Sequence, residues 1–289
     1  MVTGSTQLLG VIGHPVKHSL SPLMHNAAIA HLGINYIYLP FPVAPDRLSV
    51  AIAGFEAIGL CGFNITLPHK QAIIPLLNQV DNLAQAVGAV NTVWRTDAGW
   101  CGTNTDVAGF IAPLKSLRSS WSEVAVVVLG NGGAARAVVA GCAQLGCPAI
   151  QVVGRNPEKL SQFLQSWQAS PLAVPLSVHS WEDLSTLLPQ AGLVVNTTPV
   201  GMAPHTDASP LNQADWDAIA PGTVAYDLIY TPNPTRFLQQ AGERGAIALD
   251  GLEMLVQQGA AALERWLQQP VPVAVMRQAA RAHLGLDGG

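Results

Sequence analysis

Short apolar runs alternate with amphipathic stretches along the whole chain, and the runs carry the β-branched residues that strands favour. The pattern predicts strands at 8–12, 36–40, 62–66 and 90–95, the last followed by a turn at 97–99. A helix is predicted between the first two strands. Ser21 reads as its N-cap, Pro22 as its first helical position and Gly33 as its stop. A second helix is predicted at 68–77, again opening on a proline.

The character changes near residue 106. Residues 124–129 form a continuous apolar run, as a strand buried on both faces does. A glycine turn follows, then a helix to residue 145 closed by Gly146. Strands are predicted at 150–153, 193–197, 224–229 and 247–249, and Asn156 caps a helix opening at Pro157. Two helical stretches, 253–267 and 272–284, end the chain. The fold class expected is therefore α/β. An N-terminal α/β domain spans 1–106, a Rossmann-like doubly wound nucleotide domain spans 107–250, and C-terminal helices at 251–289 return to pack on the first domain.

Composition raises one question. The chain is 49% hydrophobic and only 11% charged, with a mean hydropathy of +0.30, which is apolar enough to test for a membrane span. The richest stretch, 124–147, contains five glycines and Arg136. A spanning helix wants about 20 predominantly apolar residues, so this stretch reads as strand, turn and helix. No basic segment followed by an apolar core opens the chain, which predicts no signal peptide and a cytoplasmic location. A net charge of −4 without a Lys/Arg cluster argues against nucleic acid and anionic membrane surfaces as partners. The four cysteines form no C-x-x-C pair and no zinc spacing, so free thiols and no metal site are expected.

Gly130, Asn131, Gly132, Gly133, Ala134 and Ala135 spell G-x-G-x-x-A between a predicted strand and a predicted helix. That context makes it a nucleotide-binding turn: the glycines let the backbone approach a pyrophosphate, and the helix N-terminus offers unpaired N–H groups. The next strand ends in Gly154, Arg155 and Asn156. NAD sites carry an acid there for the ribose 2′-OH, whereas a guanidinium suits a 2′-phosphate. With an acid missing and a base present, NADP is the expected cofactor, and Asn156 and Lys159 add donors for the same phosphate.

Four polar clusters, at 14–26, 63–70, 88–92 and 102–106, each lie at or beyond the end of a strand-like run, where α/β sheets bind ligands. Read in order they are S-x-S-P-x-x-H-N, N-x-T-x-P-x-K, G-A-V-N-T and G-x-N-T-D, and further polar segments follow at 196–202, 226–230 and 250–258. This succession resembles the signature of the shikimate dehydrogenase family over nearly the whole chain.

The resemblance implies a reversible reduction of 3-dehydroshikimate to shikimate by NADPH, in the route through chorismate to the aromatic amino acids. It implies that Lys70 supplies or accepts the proton and that Asp106 holds it. Ser19, Ser21 and Tyr230 resemble the family's contacts to the substrate carboxylate. Asn64, Thr66, Asn91, Asp106 and Gln258 resemble those to the ring hydroxyls, Gln258 being preferred to Gln257 from its offset after Gly251. Thr197, Leu228 and Gly251 resemble positions lining the nicotinamide pocket. Gly154, Asn156 and Leu228 depart from the residues common in the family, which touches cofactor affinity more than reaction type. The alternatives are a quinate/shikimate dehydrogenase that also uses NAD and a non-catalytic nucleotide-sensing regulator. The implied partner is a small-molecule substrate, and both a monomer and a homodimer fit the composition.

Overall fold

Short apolar runs rich in β-branched residues, too short for a helix of several turns, pair as strands and so satisfy their backbone while buried. The computed structural model describes residues 2–168 and 170–286. Met1, Ala169 and residues 287–289, which fall within the three expected segments, lie outside the described residues. The chain divides into two units, Met1–Gly109 with Leu255–Gly289, and Phe110–Met254.

The first unit contains β1 (Gln7–Gly13), α1 (Ser21–Leu32), β2 (Tyr36–Pro42), α2 (Leu48–Ala57), β3 (Gly62–Ile65), α3 (His69–Ala72), β4 (Gln79–Val80), α4 (Asn82–Val87), β5 (Thr92–Thr96) and β6 (Gly99–Thr103). α5 (Asp106–Leu117) begins in this unit and ends in the other. The sheet order is β2-β1-β3-β5-β6-β4. β1 pairs parallel with β2 and β3, whereas β5 pairs antiparallel with β3 and β6. Under the sheet lies a core of Ile12, Leu60, Phe63, Ile65, Val93 and Trp100. Phe41, Phe55, Phe63 and Trp100 follow one another through it with ring centroids 5.2–5.4 Å apart. On β2, Asn26 of α1 bonds both backbone groups of Tyr38: its Nδ2 donates to the carbonyl at 2.8 Å and its Oδ1 accepts the N–H at 2.9 Å.

The second unit contains β7 (Ala125–Leu129), α6 (Gly133–Gln144), β8 (Ala149–Gly154), α7 (Pro157–Gln168), β9 (Leu176–Ser180), α8 (Leu184–Leu187), β10 (Leu193–Asn196), α9 (Gln213–Asp217), β11 (Val224–Asp227), α10 (Arg236–Glu243) and β12 (Ile247–Leu249). Its sheet is parallel throughout, in the order β12-β11-β10-β7-β8-β9. This is the doubly wound order, with its reversal at β7 and β10. The core on one side is Val127, Leu129, Val194, Leu188, Trp216 and Phe237. α11 (Leu252–Leu267) starts here and ends in the first unit, where α12 (Val273–His283) lies against α1.

Two expectations are corrected. Ser21 is the first residue of α1 and not its cap; Leu20 holds that position with no side-chain bond, and the Ser19 hydroxyl accepts the Ser21 N–H at 3.3 Å. The helix expected at 68–77 is cut to α3 and a 3-10 turn at Ile74–Leu76. Pro75 has no N–H to return to Gln71, and its ring crowds that carbonyl. The strands β4, β6 and β9 and the helices α2, α4, α5, α8, α9 and α10 add to what the apolar pattern predicts. Among the described residues, no helix is long and apolar enough to cross a membrane.

Candidate active site

The antiparallel pairing of β5 decides which residues meet in the first unit. β1 and β3 are parallel and end together, with Ile12 opposite Ile65. Because β5 runs the other way, its first residue, Thr92, sits opposite Asn64 on one side and Thr103 on the other. The polar segments that leave β3, enter β5 and leave β6 are thus gathered at one edge of the sheet.

Lys70 and Asp106 meet there. Lys70 Nζ donates to Asp106 Oδ2 at 2.6 Å, with the side chains 23% and 15% exposed, so the pair is sheltered but reachable. Lys70 lies in the first turn of α3, a helix of a single turn, and its carbonyl accepts the Val90 N–H at 2.8 Å. Asn104 Oδ1 accepts the Asp106 N–H at 3.0 Å, and Asn104 Nδ2 donates to the Ala89 carbonyl at 2.9 Å.

Asn91 is the hub of this cluster. It is 1% exposed, and Nδ2 donates to Asp106 Oδ1 at 2.8 Å and to Gln258 Oε1 at 3.4 Å. Its Oδ1 accepts the Thr105 N–H at 2.7 Å and lies 3.1 Å and 3.0 Å from the hydroxyls of Thr105 and Thr92. Of the two adjacent glutamines, it is Gln258 that reaches Asn91, and its Nε2 donates to the Leu255 carbonyl at 2.9 Å.

Asn64 is also tied to the protein. Nδ2 donates to the Asn91 carbonyl at 3.1 Å and to Thr92 Oγ1 at 3.0 Å, while Oδ1 accepts the Tyr38 hydroxyl at 2.7 Å. Both amide hydrogens are therefore engaged, and what Asn64 has left to offer a ligand is acceptor capacity on Oδ1. Thr66 is half-buried just after β3, with its methyl where a Cβ on Gly13 would fall. Ser19 and Ser21 pair with each other at the start of α1. His25, one turn further on, is fully buried and stacks on Tyr38 with ring centroids 4.1 Å apart. Its Nδ1 lies 2.8 Å from the Ser21 carbonyl, which only accepts, so that nitrogen carries the proton. Burial outweighs the hydrogen bonds and pulls the imidazole from 6.5 to about 4, leaving it neutral. Tyr230, the remaining candidate for the carboxylate, belongs to the second unit, where burial pushes its phenol up.

The second unit carries the cofactor candidates. Gly130 turns the chain after β7 with φ of 100°, a conformation side chains rarely adopt. Thr197 Oγ1 pins that turn by donating to the Leu129 carbonyl at 2.8 Å. Beyond it, a Cβ added at Gly132 or Gly133 meets nothing within 4 Å, and no side chain caps the start of α6. This is open space beside a helix N-terminus, which fits a pyrophosphate. Asn131 is half-buried and Ala134 exposed at the same turn. Gly154 ends β8, and the exposed Arg155 after it holds its guanidinium 5.7 Å from the Trp181 ring centroid. Asn156 Oδ1 accepts the Lys159 N–H at 2.9 Å, which leaves its Nδ2 as a donor toward an anion.

After β11, Asp227 is fully buried and accepts from Asn196 Nδ2 at 3.0 Å, Thr235 Oγ1 at 2.7 Å and the Ile229 N–H at 3.1 Å. Burial, against these bonds, raises its carboxyl from 3.8 to about 6. The network fixes the loop that carries Leu228, whose N–H bonds the Asn196 carbonyl. Gly251 packs on the same loop so closely that a Cβ would fall 2.1 Å from the Leu228 carbonyl oxygen. Asn196, Asp227, Thr235 and Trp181 are supporting residues that motif reading did not single out. The first two lie in motifs whose pairing only the sheet reveals, and Trp181 follows a strand that the pattern concealed. Among the described residues, no group of three or more His, Cys, Asp or Glu is placed to hold a metal ion.

Comparison with known proteins bears on the same segments. Residues 11–93 match a family model described as shikimate dehydrogenase substrate binding domain, and residues 251–281 one described as shikimate 5'-dehydrogenase C-terminal domain. A protein of Gloeothece citriformis named shikimate dehydrogenase (NADP(+)) is 60% identical over 286 residues, covering 99% of each chain. The crystal structure of shikimate dehydrogenase from Aquifex aeolicus superposes with a TM-score of 0.87 at 39% identity, covering 97% of this chain and 100% of that one. The shikimate 5-dehydrogenase of Thermus thermophilus, in complex with NADP(H) and shikimate, superposes with a TM-score of 0.85 at 33% identity, over 96% of this chain and 99% of that one.

Proposed function

Because the chain belongs to the shikimate dehydrogenase family, we propose that it catalyses the reversible reduction of 3-dehydroshikimate to shikimate with NADPH. The observation that carries the reading is the Lys70–Asp106 contact of 2.6 Å with Asn91 bonded to the second carboxylate oxygen. That arrangement suits proton delivery to a developing alkoxide, because the amine is aimed while the acid that aims it is itself fixed.

The turn at Gly130–Gly133 and the donors of Arg155, Asn156 and Lys159 would hold the dinucleotide, Thr197, Leu228 and Gly251 flanking its nicotinamide end. When bound there, the reduced nicotinamide would supply the hydride for the ring carbonyl carbon. Lys70 then gives an ammonium proton to the carbonyl oxygen and is recharged from solvent. In the reverse direction neutral Lys70 takes the hydroxyl proton. Asp106 keeps Nζ in place and balances its charge, and Asn91 keeps Asp106 from turning. Ser19, Ser21 and Tyr230 offer hydroxyl donors to the substrate carboxylate, with the N-terminal amides of α1 behind the serines. Asn64, Thr66, Asn91, Asp106 and Gln258 would serve the ring hydroxyls, Asn64 and Asn91 mainly by fixing their neighbours.

Arg155, where NAD sites carry an acid, favours NADP over NAD, and the relative from Gloeothece citriformis is named for NADP(+). The broader quinate enzyme that also uses NAD is not favoured, since Gly154, Arg155 and Asn156 include no acid, and a non-catalytic regulator is not favoured, since the Lys70–Asp106 pair is intact. The four thiols, free of disulfides, suit a cytoplasmic setting. The chain acts as a monomer or a homodimer, which sedimentation would decide. The test of the function is direct. Purified protein is mixed with shikimate or quinate and with NADP+ or NAD+, and the absorbance of reduced nicotinamide is followed. Turnover with shikimate and NADP+ is expected. Its absence sinks the reading, and equal efficiency with quinate and NAD+ moves it to the broader enzyme.

A further inference from the structure

We propose that Trp181 is a positioning residue for Arg155 and a determinant of selectivity for the 2′-phosphorylated nucleotide. The inference rests on the reading of Arg155 given above and adds the residue that makes it effective.

The register of the sheet brings the two side chains together. β8 and β9 are parallel, with Gly154 opposite Ser180. Arg155 and Trp181 are the next residue on each strand, so they leave the same edge side by side. The indole is the fixed member. It packs against the core of the unit, and the 3-10 turn Trp181–Asp183 is held by a capping box in which the Ser180 N–H donates to Asp183 Oδ2 at 2.9 Å. Arg155 is the exposed member, and among the described residues no carboxylate forms an ion pair with it.

The guanidinium carbon stands 5.7 Å from the ring centroid, inside the range of about 6 Å for attraction between a cation and a π face. Held over the indole, the exposed guanidinium keeps N–H donors that can meet the oxygens of a phosphate. A long side chain at a strand end would otherwise sample many rotamers, so the indole pre-selects those near the turn after β8. An uncharged ribose hydroxyl gains little from an aimed guanidinium; a 2′-phosphate gains most.

Two variants separate the proposal from simple packing. Trp181→Leu keeps apolar bulk against the core but removes the extended π face, and Trp181→Phe keeps a smaller one. Each is titrated calorimetrically with adenosine 2′,5′-bisphosphate and with adenosine 5′-monophosphate, and KM is measured for NADP+ and NAD+. Trp181→Leu should weaken the bisphosphate about three- to fivefold and leave the monophosphate as it was, with KM for NADP+ rising in step and KM for NAD+ unmoved. Trp181→Phe should recover most of the loss. Equal weakening of both nucleotides, no weakening of either, or a phenylalanine variant as poor as the leucine one overturns the proposal. Arg155→Ala tells the two layers apart. If it abolishes the bisphosphate preference while Trp181→Leu keeps it, Trp181 alone has been misassigned. If the unaltered chain shows no such preference, both assignments fall.

Discussion

Asn91 holds Asp106 on the side that Lys70 leaves open: its Nδ2 donates to Oδ1 at 2.8 Å while Lys70 Nζ holds Oδ2 at 2.6 Å. The amide is buried and fixed by Thr92 and Thr105, whereas the lysine is partly exposed. One oxygen of the carboxylate thus belongs to the scaffold, and the other faces the proposed proton donor. That division gives the variants below different expected phenotypes.

Lys70→Ala removes the proposed proton donor and leaves the hub intact. The turnover number for shikimate oxidation should fall by roughly 10²–10⁴, the usual worth of a positioned acid or base, with KM for shikimate little changed. Steady-state kinetics in both directions check this, and a near-normal rate would take lysine out of the mechanism.

Asn91→Ala acts on stability as well as rate. It strands the buried Thr105 N–H, at a cost of about 1–3 kcal/mol, and leaves one oxygen of the partly buried Asp106 without its scaffold donor. Urea denaturation should show the midpoint falling with little change in slope. A variant as stable as the parent would mean that the hub is dispensable to the fold.

Arg155→Asp reverses the charge presented to the ribose. Affinity for NADP+ should drop at least about tenfold, from the loss of a charge-assisted contact and the gain of a repulsion, and NAD+ should become the better cofactor. An unchanged ratio of the two KM values refutes the role given to Arg155.

The buried imidazole of His25 makes stability depend on pH. Its folded pKa of about 4 lies below the ordinary 6.5, so the unfolded chain binds the proton more readily. The contribution is fully present above 6.5 and is lost as pH falls toward 4. A shift of that size corresponds to at most about 3 kcal/mol. Asp227 has the opposite sign, because its raised carboxyl penalises the folded state as pH climbs from 3.8 to about 6. His25→Gln should therefore flatten the acid-side loss and expose the opposing slope. Chemical denaturation across that interval measures it; an unaltered profile would clear His25 of the effect.

Much of this was legible in the chain. The run at 124–129 and the proline and glycine punctuation around α1 gave strand and helix within a residue or two, because burial on both faces and backbone restriction act locally. β9 is hard to read because Leu176–Ser180 offers only two apolar residues, directly after Pro175, and is half-buried along its length, so its alternation is too short to stand out. Ser21 reads as a cap because a serine before a proline is a good capping type, whereas the helix opens one residue earlier, after Leu20, which brings no capping side chain. At the site, the motifs named Lys70, Asp106, Asn91 and Asn64 as a group. They could not say that Asn91 and Asn64 spend their amides on the protein, since that follows from the antiparallel entry of β5 beside β3. Trp181 was out of reach for the same reason: its neighbour Arg155 is set by strand register and not by sequence distance.

The bonds between Asn26 and Tyr38 have a bearing on how the molecule behaves in a crowded solution. β2 is an outer strand of its sheet, and outer strands are templates for unwanted pairing with other chains. Its alternate residues Tyr36, Tyr38, Pro40 and Pro42 face away from β1. The N–H of Tyr36 is taken by the Ile34 carbonyl, that of Tyr38 by Asn26, and the two prolines have none to give. An approaching strand finds no donor along this border, so the sheet stops at β2, and the chain is guarded there against the edge-to-edge aggregation that its apolar composition would otherwise invite.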